Sequence, residues 1–392
     1  MNEKYDIAFD ASFLPTTGGF GTHTYQSLQN FIRFDSQRSY LLLENELPPV
    51  IPQYQNQEAH QQARRLEIPA HWRWEKTRRR SRVAWMLYDL PRQIQKYKPR
   101  LFHSIDNVTV PARSDVCQTV VILHDMIPIS HPRYCRRRDA LAARWLFGRA
   151  VRHADKIITV SNFSAGEIVR CFPRAESKIV VIQNGVDHDK LHPIPDRESA
   201  AERIAAKYRL YSPRYWLIVT TLSPRRNLQR FLRAYARHLN DSNDRETCLV
   251  VAGCRGWKDQ DIFQTLDELG IQSRVHFLDF VPDQDLHGLF QTAFALANPS
   301  LLEGFGLTVL EAMACGTPVL CSSTTALGEV AGDAAFTVDP LSVESMADAI
   351  TAIVSGDDIR RDLSRKGIDH ARRFRWDETT KRVIALFDSM LK

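Results

Sequence analysis

No stretch of the 392-residue chain approaches the roughly 18 consecutive apolar residues that cross a bilayer as a helix, so no membrane span is expected. The opening residues MNEKYDIAFDASFL lack a basic region followed by an apolar run, so no secretory leader is expected either. The seven cysteines (Cys117, Cys135, Cys171, Cys248, Cys254, Cys315 and Cys321) are odd in number and contain no C-x-x-C pair. Their scatter argues against a disulfide scaffold or a common zinc site and suits a reducing, cytoplasmic setting. G-x-G-x-x-G is absent, which removes the dinucleotide-binding fingerprint. No nucleic-acid recognition motif accompanies the basic residues, so nucleic acid is not an expected partner. Asp187-His188-Asp189, Asp259-Gln260-Asp261 and Asp283-Gln284-Asp285 match D-x-D, yet none follows an apolar strand. His188 and His192 have helical i,i+4 spacing, but Pro193 interrupts it, and no metal is expected.

What is present is an ordinary globular composition, 44% hydrophobic and 25% charged. The net charge of +6 is uneven: residues 1–190 hold 28 Lys+Arg against 19 Asp+Glu. The excess concentrates in Arg73–Arg82 and Arg133–Arg138. With Trp72, Trp74 and Trp85 nearby, this basic half is suited to anionic lipid headgroups, on the inner face of a membrane. Solvated surface charge is the alternative reading.

Short apolar runs alternate with helical patterns along the chain. Strands are expected at Tyr5–Phe9, Ser39–Leu43, Leu101–His103, Gln118–Leu123, Lys156–Val160 and Lys178–Val181. After a proline-punctuated stretch, His192–Arg197, a second series runs through Trp216–Thr220, Thr247–Ala252, Val275–Leu278, Phe294–Ala297, Val319–Cys321 and Ala335–Val338. Helical patterns such as Asn227–Leu239 and Val343–Val354 fall between them. Strands alternating with helices imply parallel sheets covered on both faces, here an α/β chain of two doubly wound domains. Ligands in such folds bind beyond the carboxyl ends of the strands.

Four constellations stand at those ends. Thr16–Tyr25, with Gly18 and Gly19, follows the first strand, and its glycines allow close backbone approach to a phosphate or sugar. His124-Asp125 ends an apolar strand, where the imidazole is placed to bond a sugar hydroxyl; a purely structural pair is the competing reading. Ser223-Pro224-Arg225-Arg226-Asn227 opens a helix with paired guanidiniums that suit a diphosphate. The most specific is Asn298–Val319, in which Glu303 precedes Gly304-Phe305-Gly306, a helix runs from about Leu307 to Ala314, and Gly316 stops it. Glu303 and Glu311, eight residues apart, would be about 12 Å from each other on a full helix. That exceeds the roughly 5–9.5 Å of a glycosidase carboxylate pair and fits two ends of one elongated ligand.

Together with Thr159–Ser164, Val181–Asp187, Ser223–Leu228 and Gly328–Ala335, these stretches resemble glycosyltransferase family 4, whose signature is E-x7-E. The likeness covers nearly the whole chain and is strongest to the bacterial mannosyltransferase branch that builds O-antigen and exopolysaccharide. It implies the GT-B fold, two Rossmann-like domains facing across a cleft. Residues 1–192 would form the acceptor side and 198–375 the nucleotide-sugar domain, with a helix over 376–392 packing back on the first. It implies a metal-independent, retaining transfer of a hexose, most simply mannose from GDP-mannose, to a lipid-linked or oligosaccharide acceptor, with no cofactor beyond the donor. By motif match, Glu303, His124, Arg225 and Arg226 would carry catalysis. Gly18, Gly19, Asn184, Gly304, Phe305, Gly306, Leu307, Thr308 and Glu311 would contact the donor.

The chain departs from the pattern at Arg226, where relatives carry Lys, at Thr221, where a second basic residue is common, and at Gly328, where Pro is frequent. Arg is not a simple substitute for Lys. Other nucleotide sugars (UDP-glucose, dTDP-rhamnose), an epimerase or hydrolase of the same fold, and a non-catalytic binding module are the competing readings. The full set of acids, arginines and histidine argues against the last.

Overall fold

The computed structural model describes residues 5–14, 19–45, 66–79, 81–111 and 116–392. The chain divides into two compact units, Met1–Gly185 with Trp376–Lys392, and Val186–Arg375. Each is built on its own parallel sheet.

In the first unit the strands are β1 (Ile7–Asp10), β2 (Tyr40–Asn45), β3 (Arg73–Thr77), β4 (Leu101–Ser104), β5 (Gln118–Ile122), β6 (Lys156–Thr159) and β7 (Ile179–Val181). Their order is β3-β2-β1-β4-β5-β6-β7, and every pairing is parallel. Helices α1 (Gly19–Phe34), α2 (Leu90–Tyr97), α3 (Arg137–His153) and α4 (Asn162–Cys171) lie between strands in the chain. The inner strands β1 and β4 are buried along their whole length, as a sheet covered on both faces requires, with their polar residues toward the carboxyl ends. The chain runs outward from β1 to β3 and then returns to place β4 beside β1. That reversal opens a crevice beyond the carboxyl ends of β1 and β4.

Strand β3 falls inside the basic run Arg73–Arg82, where no strand was expected. RWEKT offers neither alternation nor β-branched residues beyond Thr77, and an edge position tolerates its charges. Polar partners secure it: Trp85 Nε1 donates to Thr77 Oγ1 at 2.7 Å and Arg73 Nε to Glu75 at 2.6 Å. The lipid-facing reading is corrected here for two of the three tryptophans, Trp72 and Trp85. Trp72 is buried and stacks on Tyr40, ring centroids 4.3 Å apart, and Trp85 is buried in a core cluster with Met86 and Leu90.

In the second unit β8 (Tyr215–Val219), β9 (Cys248–Ala252), β10 (Val275–Phe277), β11 (Ala295–Asn298), β12 (Val319–Ser322) and β13 (Phe336–Val338) are ordered β10-β9-β8-β11-β12-β13, again all parallel. Helices α5 (Arg197–Tyr208), α6 (Leu228–Ser242), α7 (Gln260–Leu269), α8 (Asp283–Thr292), α9 (Leu307–Ala314), α10 (Thr325–Ala331), α11 (Val343–Ser355) and α12 (Asp357–Ala371) complete it. One core cluster joins Trp216 and Leu249 of the sheet to Phe231 and Tyr235 of α6 and Ile350 of α11. Gly253 follows β9 at φ +142°, and a Cβ there would lie 1.9 Å from the Thr220 carbonyl oxygen, so only glycine lets the ends of β8 and β9 meet. The reversal point of this sheet lies between β8 and β11.

The C-terminal helix α13 (Trp376–Leu391) belongs to the first unit. Phe387 stacks on Phe31 of α1 at 5.9 Å, and Thr379 Oγ1 donates to the Gln183 carbonyl at 2.7 Å.

Candidate functional site

The reversal point of the second sheet gathers the charged motifs. Beyond β8, residues Pro224–Arg226 form a single 3₁₀ turn that ends at Asn227 in the left-handed region, φ 62°. The Asn227 amide is buried and donates to the carbonyls of Pro299 (3.0 Å) and Pro340 (2.6 Å). Asn tolerates this backbone conformation better than most side chains, so one residue both turns the chain and pins it to the loop beyond β11. A backbone bond, Leu301 N–H to the Arg225 carbonyl at 2.8 Å, closes the same contact.

Within that frame Glu303 receives both guanidiniums. Arg226 Nη1 pairs with its Oε1, and Arg225 Nη1 lies 3.5 Å from its Oε2. Arg225 also donates to the Leu302 carbonyl at 3.1 Å. All three side chains keep some exposure, 13% for Glu303 and 19% and 26% for Arg226 and Arg225, so the cluster remains open to a ligand. Ser300 supports it: its hydroxyl donates to Asn298 Oδ1 at 2.7 Å and lies 3.4 Å from Glu303, while Ser322 holds its carbonyl at 2.6 Å. Asn298 Nδ2 reaches Thr308 Oγ1 at 3.3 Å and so links the strand end to α9.

Gly304, Phe305 and Gly306 are buried. Gly306 caps α9 at φ +109°, and a Cβ on it would meet Leu327 Cδ2 at 2.5 Å. Phe305 turns its ring into the core, edge to face with Phe374 at 6.2 Å, so any ligand contact from this residue comes from its backbone. Leu307 begins α9, whose first amides point from a helix N-terminus, a favourable place for oxygen-rich anions. Glu311 is half-buried on the same helix and, after burial itself, is a cause of the raised Cys315 thiol pKa.

The remaining named residues lie in the first unit. His124 follows β5. Its Nε2 donates to the Ile105 carbonyl at 2.8 Å, and its backbone N–H to Asn107 Oδ1 at 2.7 Å. Burial lowers its pKa, so the ring is neutral with Nδ1 as the acceptor nitrogen. His23 of α1 packs edge to face on it at 5.0 Å and on Trp376 at 5.3 Å. Burial holds His23 well below the ordinary imidazole range, His124 and His103 add to this, and a hydrogen bond with the buried Asn184 opposes it. Gly19 is the first residue of α1, and Gly18 lies outside the described residues. His23 and Trp376 had no role in the sequence reading, although His23 stands inside the Thr16–Tyr25 stretch.

A second charged cluster sits at the reversal point of this sheet. Arg82 bridges two carboxylates, Asp10 at the end of β1 and Asp106 just beyond β4, the latter at 3.2 Å, and also donates to Thr109 Oγ1 at 2.9 Å. Burial raises the Asp10 pKa, whereas Arg82 and the bonds from Thr109 and Ser104 outweigh burial and lower that of Asp106.

One acid of each D-x-D match has a structural partner: Asp259 takes Arg255 at 2.7 Å, Asp285 takes Lys207 and Tyr208, and Asp187 takes Lys190. A cavity of about 1040 Å³ in the second unit, lined by Arg197, Phe294 and Arg360 among others, lies at the amino ends of β8, β11 and β12; it touches the far end of the Asn298–Val319 motif at Gly316 and Pro318 but none of the residues expected to act in catalysis or to contact the donor.

Known proteins match both halves. Residues 201–370 match the Glycosyl transferases group 1 family and residues 18–190 match Glycosyltransferase Family 4. O-antigen chain mannosyltransferase B of Escherichia coli is 32% identical over 303 residues, 77% of this chain and 76% of that one. Serotype-specific mannosyltransferase WbdA of Escherichia coli is 26% identical over 73% of this chain, which spans only 35% of that longer protein. Among solved structures, Anabaena HepE in complex with UDP and glucose superposes with a TM-score of 0.75 at 18% identity, covering 98% of this chain and 100% of the other. That likeness speaks to the fold, and the fold is GT-B.

Proposed function

The chain belongs to the group 1, family 4 glycosyltransferases, and from that premise we propose that it transfers mannose from GDP-mannose, with retention of configuration, to a lipid-linked or oligosaccharide acceptor in bacterial surface-polysaccharide synthesis. The observation that carries this reading is the convergence of Arg225, Arg226 and Glu303 at the reversal point between β8 and β11. The names of the relatives support mannose as the sugar.

In this reading Glu303 neutralises the two guanidiniums while the site is empty. On donor binding the diphosphate takes the arginines, and the freed carboxylate accepts hydrogen bonds from the sugar hydroxyls. Glu311 takes the ribose diol, and the first amides of α9 meet donor oxygens. As the glycosidic bond breaks, charge develops on the leaving diphosphate, and fixed guanidiniums stabilise it without reorganising. The reaction therefore needs no divalent cation. In the first unit, His124, through its acceptor Nδ1, Asn184 and Gly19 are the candidates for donor contacts.

The test is product formation by the purified protein with a panel of GDP-, UDP- and dTDP-sugars and a lipid-linked acceptor. GDP-mannose should be consumed only when acceptor is present, and the anomeric configuration should be kept. Rapid acceptor-free turnover would instead favour the hydrolase or epimerase reading. Full activity in Glu303→Ala would remove the site assignment.

A further inference from the structure

Helix α3 turns Ala143, Phe147, Ala150 and Val151 into the core of the first unit. Its outer face is not the polar surface that this leads one to expect. Leu141 is 74% exposed and Trp145 54% exposed, and four-residue spacing sets them side by side on one face. Between His131 and Arg152 the sequence carries seven arginines and a single acid, Asp139. Arg133, Arg136, Arg137, Arg138, Arg144 and Arg152 are all exposed. Among the described residues only Arg138 of these six has a carboxylate within ion-pair distance, Asp139 at 3.4 Å. At 3.6 residues per turn, Arg137, Leu141, Trp145 and Arg152 fall on one arc of the helix, with Arg138 and Arg144 at its margins.

We propose that this face of α3 docks the protein on an anionic lipid surface. Trp145 and Leu141 enter the headgroup boundary, and the surrounding guanidiniums meet lipid phosphates. An exposed Trp-Leu pair gains little in water, and a ring of like-charged arginines repels itself. Both costs are relieved where apolar depth and negative charge coincide, which is the interface of an anionic bilayer. Guanidinium is weakly hydrated and matches phosphate in a fork geometry, so arginine suits this surface better than lysine. The basic-half reading of the sequence thus moves from Trp72 and Trp85, which are core residues, to the outer face of α3. The proposal concerns binding alone and stands apart from the transfer chemistry.

The test is flotation of the full chain with vesicles of phosphatidylcholine alone and with phosphatidylglycerol added. Binding should be about tenfold or more tighter to the anionic vesicles and should weaken with added salt. Two double variants separate the contributions, Leu141→Ser/Trp145→Ser and Arg137→Glu/Arg144→Glu. Each should lose about tenfold in affinity for the anionic vesicles while keeping the wild-type melting temperature. Equal binding to both vesicle types, or wild-type affinity in both variants, overturns the proposal. So does a dimer that becomes monomeric only in the Leu141/Trp145 variant, because the face would then join two copies of the chain.

Discussion

The imidazole of His23 stands edge to face against that of His124, ring centroids 5.0 Å apart, and the Trp376 indole closes on the same ring at 5.3 Å. The Ile105 carbonyl fixes one nitrogen of His124, and His23 limits how far the ring can tilt. His23 is therefore a positioning residue for the proposed sugar contact. In His23→Ala, kcat should fall about tenfold while KM for the donor changes less, because misplacement costs most in the transition state. His23→Phe keeps an aromatic edge and should recover most of the loss. Steady-state kinetics of the two variants decide it, and equal losses in both would mean that ring contact is not what matters.

The same histidines set an acid limit. Burial lowers His23, His124 and His103, the last to about 4, against an ordinary value of 6.5. A histidine whose folded pKa is depressed is held neutral, so its contribution is complete above the unfolded value and is lost as pH falls below it. Stability of the first unit should therefore decline from about pH 6.5 toward pH 4, by roughly 1.4 kcal/mol per pH unit for each proton taken up only on unfolding. Urea melts across this range check the slope. His103→Leu should flatten it, since that ring packs against Phe9, Phe31 and Phe387 and donates to the Val120 carbonyl.

Glu303 pairs with the arginines that the donor diphosphate is proposed to need. Glu303→Gln removes that competition together with the sugar contact. It should lower kcat by about 10² to 10³, the range seen when a preorganised polar contact is deleted, and at the same time bind GDP more tightly than the wild type. Calorimetry with GDP measures the second effect. Weaker GDP binding in the variant would show that the carboxylate supports the arginines rather than competing for them.

The parts of the molecule legible in sequence are those that repeat a local rule. Runs such as WLIV and CLVV, short, apolar and partly β-branched, read as buried strands, and glycines and a proline around Glu303 mark a loop that must take an unusual backbone shape. The fold and the charged cluster of the second unit follow from such rules. Strand β3 was not legible because its partners, Tyr97 for Glu75 and Trp85 for Thr77, lie 22 and 8 residues away. Trp72 and Trp85 looked interfacial because sequence shows their basic neighbours and not the Tyr40 ring or the Met86 cluster that covers them. The roles of Asn227 and Trp376 depend on contacts with Pro340 and His23, more than a hundred residues distant, and no spacing rule reaches that far.

Arg82 offers the sharpest test of the first unit. It holds two buried carboxylates, Asp10 and Asp106, at adjacent strand ends, and only 13% of its side chain is exposed. Arg82→Met keeps much of the volume but leaves two like charges without a cation. Removing one partner of a buried ion cluster typically costs about 3–5 kcal/mol, and that loss is expected at pH 7. Arg82 lowers both carboxyl pKa values, so its loss must raise Asp10 further than burial already does and raise Asp106 as well. A group shifted upward gains stability as it protonates, so the variant's deficit should shrink as pH falls from 7 toward 4. The narrowing should approach roughly 1.4 kcal/mol per pH unit while the folded variant holds one proton more than the folded wild type. Urea melts of wild type and variant at several pH values measure the gap directly. A gap that stays constant with pH would mean that the two aspartates do not share one field, and Arg82 would then act through packing against Phe13 and Trp85 alone.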